Sequence, residues 1–161
     1  MRETDYIRKI MIKVKDVASD DLYYHKVADA GSLAYSQPRA VDVLASYQGQ
    51  FIGMEWKLHK TKGAFALKHF RQHQYDELDR VAKSGGRALI VIGVYVDGGK
   101  HQEVYIIPFV HWGNLITDDY YQPLKSVKLQ DERFDPYRLK LSKVIDHQIA
   151  AAILNRIVGT E

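Results

Sequence analysis

The sequence contains no cysteine among its 161 residues. Disulfide bonds and thiolate metal sites are therefore excluded, and any metal ion must be held by oxygen or nitrogen ligands. No apolar run approaches the roughly 20 residues that cross a bilayer. The charged N-terminal stretch also lacks the apolar centre of a secretory signal. These absences argue against a membrane protein and against a secreted disulfide scaffold, and we expect a cytoplasmic protein that contacts no membrane.

A strong excess of one charge is also missing, because the net charge is only +3. This balance by itself is weak evidence for a nucleic-acid partner. The distribution of charge is more informative, because a basic segment without acids runs from position 57 to position 73. It contains Lys57, His59, Lys60, Lys62, Lys68, His69, Arg71 and His73. The segment is either a solvated face or a surface that binds phosphates.

Hydrophobic patterning predicts a mixed α/β domain. Helices are predicted over Glu3 to Lys15, Lys68 to Ser84 and Lys143 to Val158, and Ser142 is the predicted cap of the last helix. Strands are predicted over 22–27, 41–47, 50–58, 87–96 and 103–108. Residues 29–39 are predicted to form a loop, and residues 109–141 show no clear pattern. This order predicts one domain over residues 1–161. Its core spans about residues 3–115 and has a central sheet with helices on its faces, followed by a tail and helix over 116–161.

The stretch VDVLASYQGQFIGMEWK, residues 41–57, places two acids and a lysine in a predicted hairpin. With Gln48-Gly49 as a two-residue loop, Asp42 falls opposite Glu55, and Lys57 points to the same face. Two adjacent carboxylates repel each other and are costly to bury, and a divalent cation removes both objections. The spacing therefore permits a metal site, although on spacing alone a polar edge strand is favoured.

These residues resemble the signature of the PD-(D/E)XK nucleases, although Val41 stands where that signature usually has proline, and Pro38 lies earlier. The segment SYQGQFIGMEWKLHKTKGAFALKHFRQHQYDEL is similar to the Holliday junction resolvases of that superfamily, both archaeal and bacterial. Those proteins share a strand of the form Y-x-G-x-[FY]-I-x-x-E-x-K, a basic loop, and a helix beginning near F-x-x-H-Q, here Phe70 to Gln74. The resemblance covers about residues 3–115. It implies a restriction-endonuclease-like α/β fold with a central mixed β-sheet flanked by helices.

The resemblance also implies a role for each matching residue. Asp42, Glu55 and the carbonyl of Trp56 are expected to hold Mg²⁺, for which Mn²⁺ can substitute, and Lys57 is the expected catalytic lysine. Further catalytic-site residues are expected to be Glu3 or its rival Asp5 from the first helix, Ser32 or else Ser36 from the loop, and Gln74. The residues expected to bind DNA are Lys60, Lys62, Lys68, Arg71, His73 and Arg39. The simpler alternatives are a favourably placed helix-start acid for Glu3 and a solvent-facing glutamine for Gln74.

The implied activity is metal-dependent hydrolysis of four-way DNA junctions by paired symmetric nicks that leave 5′-phosphate ends, in recombination, repair or phage DNA processing. Two cuts require two active sites, so a homodimer is expected. The apolar stripe of the last helix packs on its own sheet or forms the dimer, and the former is favoured. Tyr120, Tyr121 and Phe134 fill a core, which is favoured, or stack on bases. The alternatives are another PD-(D/E)XK nuclease, a non-catalytic DNA-binding module, and a chance motif.

Overall fold

The computed structural model describes residues 1–27 and 41–160. The described elements, in chain order, are α1 (Glu3–Ala18), β1 (Leu22–Lys26), β2 (Val43–Tyr47), β3 (Gln50–His59), β4 (Phe65–Ala66), α2 (Gln72–Lys83), β5 (Arg87–Val96), β6 (His101–Pro108), α3 (Phe109–Leu115), β7 (Ser126–Val127), β8 (Arg138–Leu141) and α4 (His147–Val158). The predicted loop over 29–39 lies outside the described residues. Within them, no helix is both long enough and apolar enough to cross a bilayer.

Six strands form a central mixed sheet in the order β1-β2-β3-β5-β6-β8. Strands β3 and β5 run parallel and are connected through α2, whereas the other neighbouring pairs are antiparallel. Strands β4 and β7 form a separate two-stranded sheet. One face of the central sheet is covered by α1 and α4, and the other face is covered by α2 and α3. The predicted architecture, a central mixed sheet flanked by helices, is confirmed.

The predicted register of the β2–β3 hairpin is also confirmed. Tyr47 pairs with Gln50, and Val43 pairs with Met54. Both turn residues have a positive φ, 48° at Gln48 and 84° at Gly49. Positive φ at both positions matches the right-handed twist of a two-residue hairpin. Extending this register by one residue brings position 42, just before the start of β2, opposite position 55.

The predicted start of the second helix is wrong, because α2 begins at Gln72 rather than at Lys68. Residues 67–69 form a separate turn of 3-10 helix, and Phe70 and Arg71 are extended. The Gln74 side-chain oxygen accepts a hydrogen bond of 2.8 Å from the Arg71 backbone N–H. This bond caps the N-terminal end of α2 by satisfying a backbone donor that has no partner within the helix.

The C-terminal region differs most from the sequence prediction. Helix α4 begins at His147 rather than at Lys143, and its cap is Asp146, whose carboxylate accepts from the backbone N–H of Ile149 at 2.9 Å. Ser142 is therefore not the cap. Residues 138–141, where no element was predicted, form an edge strand of the central sheet. The apolar stripe of α4 packs against α1 and the sheet, which confirms the favoured interpretation.

The aromatic residues of this region divide between core and surface. Phe134 is fully buried, as predicted. Tyr120 and Tyr121 are 83% and 86% exposed, so the core interpretation is wrong for both. The Asp118 carboxylate accepts hydrogen bonds from the backbone N–H groups of Tyr120 and Gln122. These bonds close a tight turn whose tip leaves the two tyrosine rings in solvent.

Helix α1 is held close to the sheet by Tyr6. The Tyr6 hydroxyl donates to the backbone carbonyl of Glu103 at 3.0 Å. Its ring lies directly on Gly93, where an added Cβ would be only 2.1 Å from a ring carbon. The absence of a side chain at Gly93 therefore permits this close packing. The contact fixes the orientation of the helix whose first residue is Glu3.

Candidate active site

Two nitrogen donors converge on one carboxylate oxygen of Glu55. Glu55 lies in β3 and is only 2% exposed. Its Oε1 accepts a hydrogen bond from Lys57 Nζ at 2.9 Å and another from Gln74 Nε2. Glu55 and Lys57 share a face because successive strand residues alternate between faces. The parallel crossover from β3 to β5 then places the first turn of α2, with Gln74, over that face.

Both ends of the Gln74 amide are engaged. Its oxygen accepts from the backbone of Arg71, while its nitrogen donates to Glu55. The solvent-facing alternative for Gln74 is therefore wrong. The amide links the start of α2 to the buried carboxylate, so the unexpected helix start at Gln72 directly shapes the site.

Asp42 lies beside Glu55, just before β2 begins. Its Oδ2 accepts a hydrogen bond of 2.9 Å from the backbone N–H of Trp56. Burial raises the pKa of Glu55 to about 7, and the charge of Asp42 adds to this increase, while Lys57 opposes it. The charge of Asp42 therefore disfavours the charged form of Glu55. The Trp56 side chain points into the apolar core on the opposite face.

Glu3 reaches the same region from the first turn of α1. Its Oε2 accepts a hydrogen bond of 3.0 Å from the backbone N–H of Leu58. Burial raises the pKa of Glu3, the charge of Lys57 opposes that shift, and the charge of Asp42 adds to it. Glu3 is thus within electrostatic reach of both groups.

Asp5, the rival acid, is directed elsewhere. Its carboxylate pairs with Arg2 Nε at 2.8 Å on the exposed side of α1. The Arg2 guanidinium lowers the pKa of Asp5. Of the two acids, the structure brings only Glu3 to the predicted site.

The donor set is compatible with a hard divalent cation. Within residues 1–27 and 41–160, no group of three or more His, Cys, Asp or Glu side chains is arranged to hold a metal ion. Asp42 and Glu55 form a pair, and the Glu3 carboxylate is engaged with the β3 backbone. Mg²⁺ commonly takes one or two carboxylates and completes its shell with other oxygens. A cation would also offset the burial and the charge of Asp42 that together raise the pKa of Glu55.

The basic segment begins in β3 and continues beyond it, but its members differ in their surroundings. The side chains of Lys60, Lys68 and Arg71 are exposed. Lys62 is paired with Asp97 at 2.8 Å. His59 is buried and bonds to the backbone carbonyl of Gly63, so it shapes the loop.

Four other residues have roles that were predicted from the sequence. His73 is partly buried in the first turn of α2. Ser32, its rival Ser36, and Arg39 lie outside the described residues. Their predicted roles therefore stay predictions.

Phe70 is a site residue whose role the sequence analysis missed. Lys57 Nζ lies 5.4 Å from the centroid of the Phe70 ring. Phe70 entered the sequence analysis only as the first residue of a motif. No clear signal in the sequence indicated this contact, because Phe70 was placed inside the predicted helix, whereas it is extended and precedes α2.

The raised pKa of Glu55 predicts a pH-dependent stability. A carboxyl group that binds its proton more tightly in the folded state favours folding at low pH. This contribution is fully present below the ordinary value of 4.5 and is lost as the pH rises through about 7. In EDTA, we therefore expect the unfolding free energy of the wild type, relative to Glu55→Gln, to fall between those two pH values.

Urea denaturation of both proteins across this pH range measures the difference. Changing the exposed Glu132 to Gln provides the baseline for the same chemical substitution. A wild-type minus Glu55→Gln difference that stays flat, or that rises with pH, would contradict the prediction.

Comparison with known proteins places these features in a family. The family model described as recombination protein U, RecU, matches residues 2–152. The Holliday junction resolvase RecU of Lactococcus lactis subsp. lactis is 26% identical over 112 residues, which are 68% of this chain and 49% of that protein. The Holliday junction resolvase RecU of Oenococcus oeni is 34% identical over 74 residues, which are 46% of this chain and 36% of that protein. The matches thus span about half, or less, of the length of these relatives.

A solved structure shares the fold. Hjc of Archaeoglobus fulgidus, a Holliday junction resolvase from an archaeal hyperthermophile, superposes with a TM-score of 0.50 at 15% identity. The match covers 91% of this chain and 98% of Hjc. The family model confirms the expected resemblance to the bacterial recombination factor, and it extends past residue 115 to residue 152. Because the family model covers nearly the whole sequence, the chain belongs to the RecU family of recombination proteins.

Proposed function

We propose that this chain is a metal-dependent endonuclease that resolves four-way DNA junctions by paired symmetric nicks. The observation that carries the proposal is the cluster of Asp42, Glu55 and Lys57, which the exposed basic segment follows directly in sequence. Membership of the RecU family, with relatives named as Holliday junction resolvases, supports the same activity.

Each residue of the cluster has a distinct task in the proposed reaction. Asp42 and Glu55, with the carbonyl of Trp56, would hold Mg²⁺ or Mn²⁺. When bound, such an ion lowers the pKa of a coordinated water and offsets charge on the scissile phosphate. Lys57 binds a phosphate oxygen, and Gln74 keeps the Glu55 carboxylate in one orientation. The products carry 5′-phosphate and 3′-hydroxyl ends.

The proposed DNA surface is the basic segment. Lys60, Lys68 and Arg71 are exposed and positioned to neutralise phosphates, whereas Lys62 must first leave Asp97. Because cationic side chains neutralise phosphates, binding is steeply salt-dependent. Because phosphate contacts carry no sequence information, such a surface selects DNA by its shape. Symmetric nicking of two strands requires two such surfaces, which a homodimer provides.

The test is cleavage of a four-way junction with each strand labelled in turn, beside linear duplex and single strands of the same sequence. We expect Mg²⁺-dependent nicks at symmetric positions in two opposed strands, no nicks in EDTA, and products that DNA ligase reseals. Equal cutting of linear duplex would instead favour a general duplex nuclease. Undiminished cutting by Asp42→Ala would contradict the assigned site.

A comparison of two acids on α1 tests the role of Glu3. We expect Glu3→Gln to reduce the single-turnover cleavage rate by about tenfold, because it removes a negative charge near Lys57 and weakens the bond to the β3 backbone. Asp5→Asn makes the same chemical change on the solvent side of the helix and is expected to leave the rate within about twofold. The reverse ranking would assign the helix-borne acid to Asp5.

A further inference from the structure

The Lys57 ammonium lies between a carboxylate and an aromatic ring. Nζ is 2.9 Å from Glu55 Oε1 and 5.4 Å from the centroid of Phe70. The lysine side chain is only 15% exposed, and Phe70 is 6% exposed. A cation within about 6 Å of a ring centroid is attracted to the negative face of the ring, more strongly when water is excluded.

The Phe70 ring is itself held in place by other aromatic side chains. It stacks on Tyr75 at 5.7 Å, and the edge-to-face contact with Trp112 is 5.3 Å. Trp112 Nε1 donates a hydrogen bond to the Tyr75 hydroxyl, which ties these two supports together. Phe65 completes the contacts at 5.8 Å. Because the ring is packed on several sides, it offers the lysine a fixed surface.

We propose that Phe70 is the positioning residue for Lys57. A lysine side chain has four rotatable bonds, and confining it costs conformational entropy. The Glu55 carboxylate alone is a poor anchor, because a phosphate competes with it for the same ammonium. The neutral ring attracts the cation without competing with the phosphate. Phe70 therefore keeps Lys57 at the site while the Lys57 ammonium exchanges the Glu55 carboxylate for a substrate phosphate.

The effect of Phe70 on cleavage rests on the proposed function, whereas the contact between Phe70 and Lys57 does not. Two experiments test the effect on cleavage and the contact separately. The first replaces Phe70 by mono-, di- and trifluorophenylalanine, which weaken the negative ring face stepwise with little change in shape. We expect the single-turnover rate at saturating junction to fall stepwise by about fivefold across the series, with unchanged junction affinity.

A purely structural role for Phe70 predicts no such trend, because the fluorinated rings keep the packing and remain apolar.

The second experiment measures the coupling between Phe70 and Lys57 without using cleavage activity. The unfolding equilibrium constants of the wild type, Phe70→Leu, Lys57→Met and the double variant form a double-mutant cycle in EDTA. We expect the two substitutions to be non-additive by about fivefold in the equilibrium constant.

The outcomes are distinct. An additive cycle, or a rate independent of fluorination, would overturn the positioning role. A protein that cuts no junction but retains the coupling would contradict the proposed function and leave the Phe70–Lys57 contact supported. If Phe70→Leu does not fold, the same cycle is measured with trifluorophenylalanine in its place.

Discussion

Asp42→Asn is expected to lower the single-turnover cleavage of a four-way junction by about a thousandfold. The substitution removes one of two carboxylates proposed to hold the metal ion. It preserves side-chain shape, and the amide oxygen can still accept the hydrogen bond from the Trp56 backbone. The hairpin should therefore remain intact, so the loss reports on chemistry rather than on folding.

Junction binding measured by fluorescence anisotropy in EDTA provides the control for this variant. We expect affinity equal to or slightly above that of the wild type, because one negative charge near the DNA has been removed. Loss of binding together with cleavage would indicate a folding defect. A fall in rate of less than about tenfold would contradict the assignment of Asp42 as a ligand.

Lys57→Met is expected to reduce the cleavage rate by about a hundredfold. Methionine retains an unbranched apolar stem but removes the ammonium that contacts Glu55 Oε1. Arginine is not expected to restore the rate, because its planar guanidinium differs in shape and in donor geometry from an ammonium. Single-turnover rates of both variants at saturating junction test this prediction.

Lys60→Met is the matched control for Lys57→Met. It makes the same substitution three residues later, at an exposed lysine of the basic segment. We expect weaker junction binding and a shallower salt dependence, with the saturated cleavage rate within about twofold of the wild type. Similar rate losses in both variants would remove the distinction between a catalytic and a backbone-binding lysine.

The central part of the site was predictable because its geometry is local. The hairpin register follows from counting outward from a two-residue turn, and the alternation of side chains then places Lys57 on the face of Glu55. The family signature and the hairpin register therefore both place Glu55 and Lys57 on the same face of the sheet. The central sheet was predictable as well, because the apolar run over 87–96 indicates a buried strand, and this run forms β5.

The remaining contacts depend on long-range packing that a linear pattern does not encode. Helical spacing places Glu3, and not Asp5, on the side of α1 that carries Tyr6 and Ile7. The sequence does not show, however, that this side docks so that Glu3 meets the backbone of β3. The start of α2 depends on a side-chain bond from Gln74 to the backbone, which helix periodicity does not reveal.

The edge strand over 138–141 was missed for a related reason. It has only four residues, three of them half-buried, and so lacks a clear alternation. Its place in the sheet comes from pairing with β6, a partner about 35 residues earlier in the chain. A short strand of this kind is defined by its neighbour rather than by its own composition.

The packing of α1 against α4 has a consequence for synthesis of the protein. These helices lie near opposite ends of the sequence, yet both contribute to one apolar cluster. On the ribosome, α1 emerges long before α4, so part of its apolar face has no partner until α4 has also been synthesised. α1 can therefore make its contacts with the sheet before it makes those with α4. The packing of the helix that contributes Glu3 to the candidate site is thus completed only after α4 has emerged.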